Sequence, residues 1–207
     1  NILPAIAHTN AVYEDVLKAL EAGYTLATHF YSGMSGVMRR NAFRYAGVIE
    51  SVYLLDDIDV EVIADGVHLP APLLKLISSL HGLPHLAIHP DAMRAAVMPP
   101  GESMLGSLQN GIPVIVEDGE AKLPDRSSFA GSVATADRLV RTMIRLAGVS
   151  LAEAVRMMTL VPARIMKLDA RKGSIATGRD ADLVIFDDEI NITHTIVEGK
   201  IIYDQSS

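Results

Sequence analysis

Four short apolar runs in this chain each end in a side chain that can bind a metal or move a proton. The run 3–7 is followed by His8, and 25–28 by His29. The run 60–64 is followed by Asp65-Gly66-Val67-His68, and 85–88 by His89, Pro90 and Asp91. Pro90 has no N–H to give to a sheet ladder, so it stops the last run and leaves Asp91 just beyond it. Taken singly, each of these residues also fits a hydrogen-bonded histidine or a turn carboxylate; the recurrence after four successive runs is the signal. Two imidazoles and a carboxylate on one rim suit a divalent metal and hydrolysis. Neutral imidazole binds zinc or iron, the metal acidifies water and polarises a carbonyl, and a carboxylate can carry the proton. His81, His85 and His194 lack this placement and read as surface or packing residues. Competing templates fail: there is no Ser nucleophile elbow, no Gly-rich loop ending in Gly-Lys-Ser/Thr, and no His-Glu-x-x-His.

The elements that must position these residues alternate. Strands are expected at 3–7, 25–28, 60–64 and 85–88. A helix over 11–22 is expected to be capped by Asn10 and stopped by Gly23. An amphipathic segment near 46–55 follows a Gly- and Arg-containing loop, and Pro70 opens a helix over 70–80 closed by Gly82. Strands alternating with helices argue for βαβ units and a parallel sheet. Near residue 99 the character changes. Asn110-Gly111 and Asp118-Gly119 flank the run 112–117 and predict antiparallel hairpins. Helices return over 134–148, then behind a Ser150/Glu153 capping box, then at Pro162. The tail is β again at 181–187 and 192–204, with a turn at Glu198-Gly199.

Composition narrows the partners. The chain has 207 residues, 49% of them hydrophobic, which is ample for a core. A net charge of −7 argues against nucleic acid, which is bound by neutralising phosphates. No apolar run has the length to span a bilayer. The start is not a signal peptide and lacks Met, so the chain is expected to be part of something longer. With no cysteine, disulfides and thiolate metal sites are excluded, which is compatible with a cytoplasmic location. Arg39, Arg40 and Arg44 form a local basic patch that reads either as a solvated loop or as a seat for a small phosphorylated ligand.

The stretches AHTNA, THFYSGMS, IADGVHL, PDAM, FAGS, SLAEAVRMMTLVPAR and KGSIATGRDADLVIFD occur in that order. In them the chain resembles the C-terminal part of N-acetylglucosamine-6-phosphate deacetylases, members of the amidohydrolase superfamily. The resemblance implies an α/β fold: the second half of a (β/α)8 barrel over 1–168, with a β-hairpin insertion near 99–124, and part of a small β-sandwich domain over 169–207. It implies that His8 and His29 bind a divalent metal, zinc first and iron or another ion next. It further implies that His68 contacts the substrate near the scissile amide and that Asp91 is the catalytic acid/base. Arg40 matches an arginine that reaches a substrate phosphate, often across a dimer interface, so a homodimer is implied. Ser32 and Gly33 stand where the family has an Asn-Ala pair at the phosphate end, and Ile88-His89-Pro90 replaces the usual approach to the catalytic Asp. The family's metal-binding glutamate lies in an N-terminal half that this chain does not contain. The implied reaction is hydrolysis of the acetamide of N-acetylglucosamine 6-phosphate. The alternatives are deacetylation of another amino-sugar phosphate such as N-acetylgalactosamine 6-phosphate, hydrolysis of another cyclic amide, or an inactive fragment that needs its missing half.

Overall fold

The computed structural model describes residues 2–206; Asn1 and Ser207, the outer ends of the two expected domains, lie outside the described residues. The first stretch supplies β1 (Ala5–Ile6), α1 (Tyr13–Glu21), β2 (Leu26–Ala27), a hairpin of β3 (Met38–Arg40) and β4 (Phe43–Tyr45), and α2 (Val48–Leu54). Next come β5 (Asp59–Ile63), α3 (Ala71–Leu80) and β6 (Leu86–His89). A three-stranded antiparallel sheet follows, of β7 (Gly101–Leu105), β8 (Ile112–Glu117) and β9 (Glu120–Lys122). Then α4 (Ala136–Thr142) runs into a π-helical turn over Met143–Ala147, followed by α5 (Leu151–Met158) and α6 (Leu160–Ile165). The tail forms a second three-stranded antiparallel sheet of β10 (Leu183–Phe186), β11 (Ile192–Val197) and β12 (Lys200–Asp204). The fold is α/β, with one parallel sheet and separate antiparallel ones. Among the described residues no helix is long and apolar enough to cross a membrane.

The parallel sheet has the order β1-β2-β5-β6, so each new strand is added on the same side as the last. Its strands are short and buried, in keeping with apolar runs covered on both faces. Val60, Val62, Leu86 and Ile88 join Val16 of α1, Val52 of α2, Leu74 and Ile77 of α3, and Leu139 and Met143 in one core. Burying each such side chain contributes about 1.5–3 kcal/mol before entropy is counted. Met93, Val114, Val116 and Ala121 form a second cluster under the β7–β9 sheet.

Local signals account for most element ends. Ser150 and Glu153 close the expected capping box, with Ser150 N–H donating to Glu153 Oε2 at 2.7 Å. Asp118 and Gly119 both have positive φ, 54° and 75°, as a tight β8–β9 hairpin turn requires. Two expectations are corrected. Asn10 does not cap α1: the chain stays extended through a bridge between Val12 and Gly47, and the Asp15 carboxylate accepts from the Val12 N–H at 3.3 Å instead. The Arg-containing stretch is not a plain loop but the β3–β4 hairpin, with Arg39 opposite Arg44 and Arg40 opposite Phe43.

Candidate active site

His8, His29, Asp65 and Asp91 each stand two residues beyond the end of a parallel strand, after β1, β2, β5 and β6 respectively. The carboxyl end of such a sheet is where loops carry reactive groups. Three of the four, His8 (φ 41°), His29 (φ 35°) and Asp91 (φ 46°), adopt left-handed backbone conformations. Non-glycine residues rarely do so, and each such residue stores of order 1 kcal/mol or more that the surroundings must hold in place.

The surroundings are specific. The loops after β1 and β2 are tied by Ser35, whose N–H donates to Thr9 O at 3.1 Å and whose Oγ donates to Ala11 O at 2.6 Å. The Phe30 N–H donates to Glu61 O at 2.7 Å, anchoring the His29 loop on β5. As a result His8 and His29 meet edge to face with ring centroids 4.6 Å apart. His29 Nδ1 is buried without a hydrogen-bond partner among the described residues. Gly33 (φ 64°) lets the His8 ring in, because a Cβ there would lie 2.4 Å from His8 Nδ1. Gly33 therefore abuts the histidine pair, and Ser32 follows through its own N–H to His29 O at 2.8 Å. Two adjacent imidazoles with an unsatisfied ring nitrogen have the donor chemistry of a divalent-metal site.

Asp65 and His68 form a second pair. Asp65 Oδ1 accepts from the N–H groups of Val67 at 2.8 Å and His68 at 2.9 Å, and Oδ2 lies 2.5 Å from His68 Nδ1. Gly66 (φ 84°) makes the turn, and its missing side chain leaves room for Leu146, whose Cδ1 would stand 3.0 Å from a Cβ. Burial opposes the charge on Asp65, but the His68 hydrogen bond and the two backbone N–H groups win and hold its carboxyl below the usual range. Burial likewise opposes an imidazolium at His68, yet the Asp65 bond and the charges of Glu120 and Asp91 raise it above its ordinary value. Phe129 covers the ring at a centroid distance of 4.6 Å.

Asp91 is exposed, and its loop is clamped by Ser132, whose N–H donates to Asp91 O at 3.1 Å and whose O accepts from the Met93 N–H at 2.8 Å. Ser132 Oγ also reaches Asp65 Oδ2 at 3.4 Å, so one buried serine links the two carboxylate loops. His89, half-buried at the end of β6, has an Nε2 without a partner among the described residues. Burial pushes its pKa down, and the charge of His29 adds to this while Glu61 and Asp91 oppose it. Arg40 lies apart on the exposed β3–β4 hairpin, over the Tyr45 ring at 5.6 Å, and pairs with no carboxylate among the described residues.

Sequence reasoning missed one participant. Glu120, the first residue of β9, is fully buried beside His68, with its Oε2 3.8 Å from Nδ1. Asp65, His68 and Glu120 together present donor atoms within 4.8 Å of one another, a group whose types suit a divalent ion.

Comparison with known proteins gives the family. The chain is 34% identical over 97% of its length to an N-acetylglucosamine-6-phosphate deacetylase from Lysinibacillus sphaericus, covering 49% of that protein. It is 29% identical over 97% of its length to an N-acetylgalactosamine-6-phosphate deacetylase from Escherichia coli, covering 51% of it. The crystal structure of the N-acetylglucosamine-6-phosphate deacetylase from Thermotoga maritima superposes with a TM-score of 0.88 at 29% identity, over 99% of this chain and 53% of that one. The chain thus spans about half the length of the relatives it matches. The model of the Amidohydrolase family matches residues 3–202, nearly the whole sequence, and the chain belongs to that family.

Proposed function

We propose that this chain carries the catalytic rim of a metal-dependent deacetylase acting on an N-acetyl amino-sugar 6-phosphate. The observation that carries the reading is the common placement of His8, His29, Asp65 and Asp91 two residues past the ends of four parallel strands. The unbroken strand order favours half of a (β/α)8 barrel over residues 2–168, with β10–β12 as part of a small β domain over 169–206. The relatives' names supply the substrate class.

His8 and His29 would hold the metal, zinc by the donor set. Bound there, it would supply polarisation of the amide carbonyl and a water of lowered pKa. Asp91 accepts the proton of the attacking water and delivers it to the departing nitrogen as the C–N bond breaks, giving acetate and the free amino sugar. His68, its Nδ1 committed to Asp65, offers Nε2 to the oxyanion that develops on the carbonyl oxygen; one such donor contributes about 3–4 kcal/mol in related sites. Arg40, exposed and without a carboxylate partner among the described residues, anchors the phosphate and fixes the sugar's orientation, in a homodimer when it reaches a neighbouring subunit's site. A cytoplasmic location fits a cysteine-free chain.

The galactosamine epimer is the second reading, favoured by the Escherichia coli relative. Acetate release from both sugar phosphates, with and without a chelator, tests the proposal and separates the epimers. Chelator-sensitive release from one of them is expected. Release from neither marks a non-catalytic chain.

A further inference from the structure

Glu120 directly follows the Asp118-Gly119 turn, where a carboxylate ordinarily faces water, yet it is fully buried. Its two oxygens differ. Oε1 accepts from Arg138 Nη2 at 2.7 Å. Oε2 has no hydrogen-bond partner among the described residues and lies 3.8 Å from His68 Nδ1. A buried acceptor left unsatisfied costs on the order of 1–3 kcal/mol, so this oxygen is held against its own solvation preference. The holding group is Arg138 of α4, which also donates to Gly119 O at 2.9 Å and to Asp65 O at 3.1 Å. One guanidinium thereby fastens β9 to the loop that carries Asp65 and His68.

The cluster as built is not a metal cage. Two donors on one zinc ion, at ~2.0–2.1 Å each, stand roughly 3.3 Å apart in a tetrahedral site. The Asp65 Oδ2 to His68 Nδ1 separation of 2.5 Å is a shared-proton distance, and Arg138 already places a cation on Glu120. What the arrangement does, once Glu120 loses its proton near pH 7, is load negative charge onto one imidazole. Asp65 faces His68 from the loop after β5, Glu120 from β9 and Asp91 from the loop after β6, while Arg138 of α4 opposes them through Glu120. Because Nδ1 donates to Asp65, Nε2 carries a proton only when the ring is an imidazolium.

We propose that Glu120 is a positioning residue for His68: seated by Arg138, it acts with Asp65 to keep the ring doubly protonated, so that Nε2–H is available to donate to the substrate oxyanion. The inference rests on the reading of His68 as the group at the scissile amide.

The test is 15N NMR of the imidazole nitrogens in the full chain, comparing the parent with Glu120→Gln and Glu120→Asp. The expected result is a fall of roughly one pH unit in the His68 midpoint in Glu120→Gln, with a smaller fall in Glu120→Asp, which keeps the charge but withdraws it. In turnover, kcat is expected to drop about tenfold while KM stays within about twofold, the pattern of an interaction made in the transition state. An unchanged His68 midpoint in folded Glu120→Gln would overturn the proposal; if that variant does not fold, an unchanged midpoint in Glu120→Asp does so. The NMR readout needs no substrate. A chain in which the midpoint shifts but no sugar phosphate is deacetylated would sink the functional reading and not the coupling of Glu120 to His68.

Discussion

The imidazoles of His8 and His29 stand edge to face, 4.6 Å between centroids, although they follow different strands. Two histidines so close, one with a buried Nδ1 that has no partner among the described residues, are the pair that the proposed function gives to a shared cation. Equilibrium dialysis is expected to show zinc retained at micromolar free concentration, with His29→Ala weakening retention at least about tenfold. His89→Ala reports whether that nearby imidazole, with its own unpartnered Nε2, contributes as a third donor. Retention unaffected by His29→Ala would place the metal elsewhere.

Gly33 controls how His8 sits. A Cβ at that position would lie 2.4 Å from His8 Nδ1, and the local φ of 64° is itself unfavourable for a side chain. Gly33→Ala is expected to cost about 1–3 kcal/mol in unfolding free energy and to weaken zinc retention, since the ring must move. Thermal melts and dialysis on the same preparation check both. An unchanged melt with unchanged zinc would mean that the ring is not confined as described.

Arg40 is exposed, stacked on Tyr45 and unpaired among the described residues. Loss of a charge-assisted phosphate contact weakens ground state and transition state alike. Arg40→Ala is therefore expected to raise KM for the 6-phosphate roughly tenfold or more, with kcat little changed and no effect on the unphosphorylated sugar. A KM that does not move removes Arg40 from the phosphate.

The buried cluster gives stability a pH dependence with a definite sign. Burial first, and then the charge of Asp65, pushes Glu120 up to about 7 from an ordinary 4.5. Between those values the folded chain holds a proton that the unfolded chain has lost. The contribution of Glu120 is thus fully present below about 4.5 and is lost as pH rises through about 7. Glu120→Gln removes this term. The difference in Tm between variant and parent is expected to shift in the variant's favour from pH 4.5 to 7.5, by about 2–4 °C for each kcal/mol involved. A difference that stays flat over that range would show Glu120 titrating as it does in water.

Much of the rim is legible in the sequence because it follows from one-dimensional rules. Apolar runs ending in His8, His29, Asp65 and Asp91 mark buried strands, and Pro90 marks where one must stop. The β3–β4 hairpin is not legible. Its strands are three residues each and largely exposed, and its tip is Asn41-Ala42, at φ 49° and 69°, without the glycine that normally announces such a turn. Glu120 is invisible for a different reason. Beside Asp118-Gly119 it reads as a solvated turn charge, and only the tertiary reach of Arg138, eighteen positions away, draws it under His68. Asp65 is half legible: the Asp-Gly pair signals a turn correctly, while the hydrogen bond between its carboxylate and the imidazole depends on His68 folding back.

Acetate release from N-acetylglucosamine 6-phosphate by the zinc-loaded full protein, parent against Asp91→Asn, is the most direct measurement. A zinc-dependent rate that falls about 10²–10⁴-fold in the variant, at equal zinc content, is the expected result. Turnover by Asp91→Asn within a few-fold of the parent would contradict the assignment of proton transfer to this carboxylate, and with it the reading of the strand-end rim as the active site.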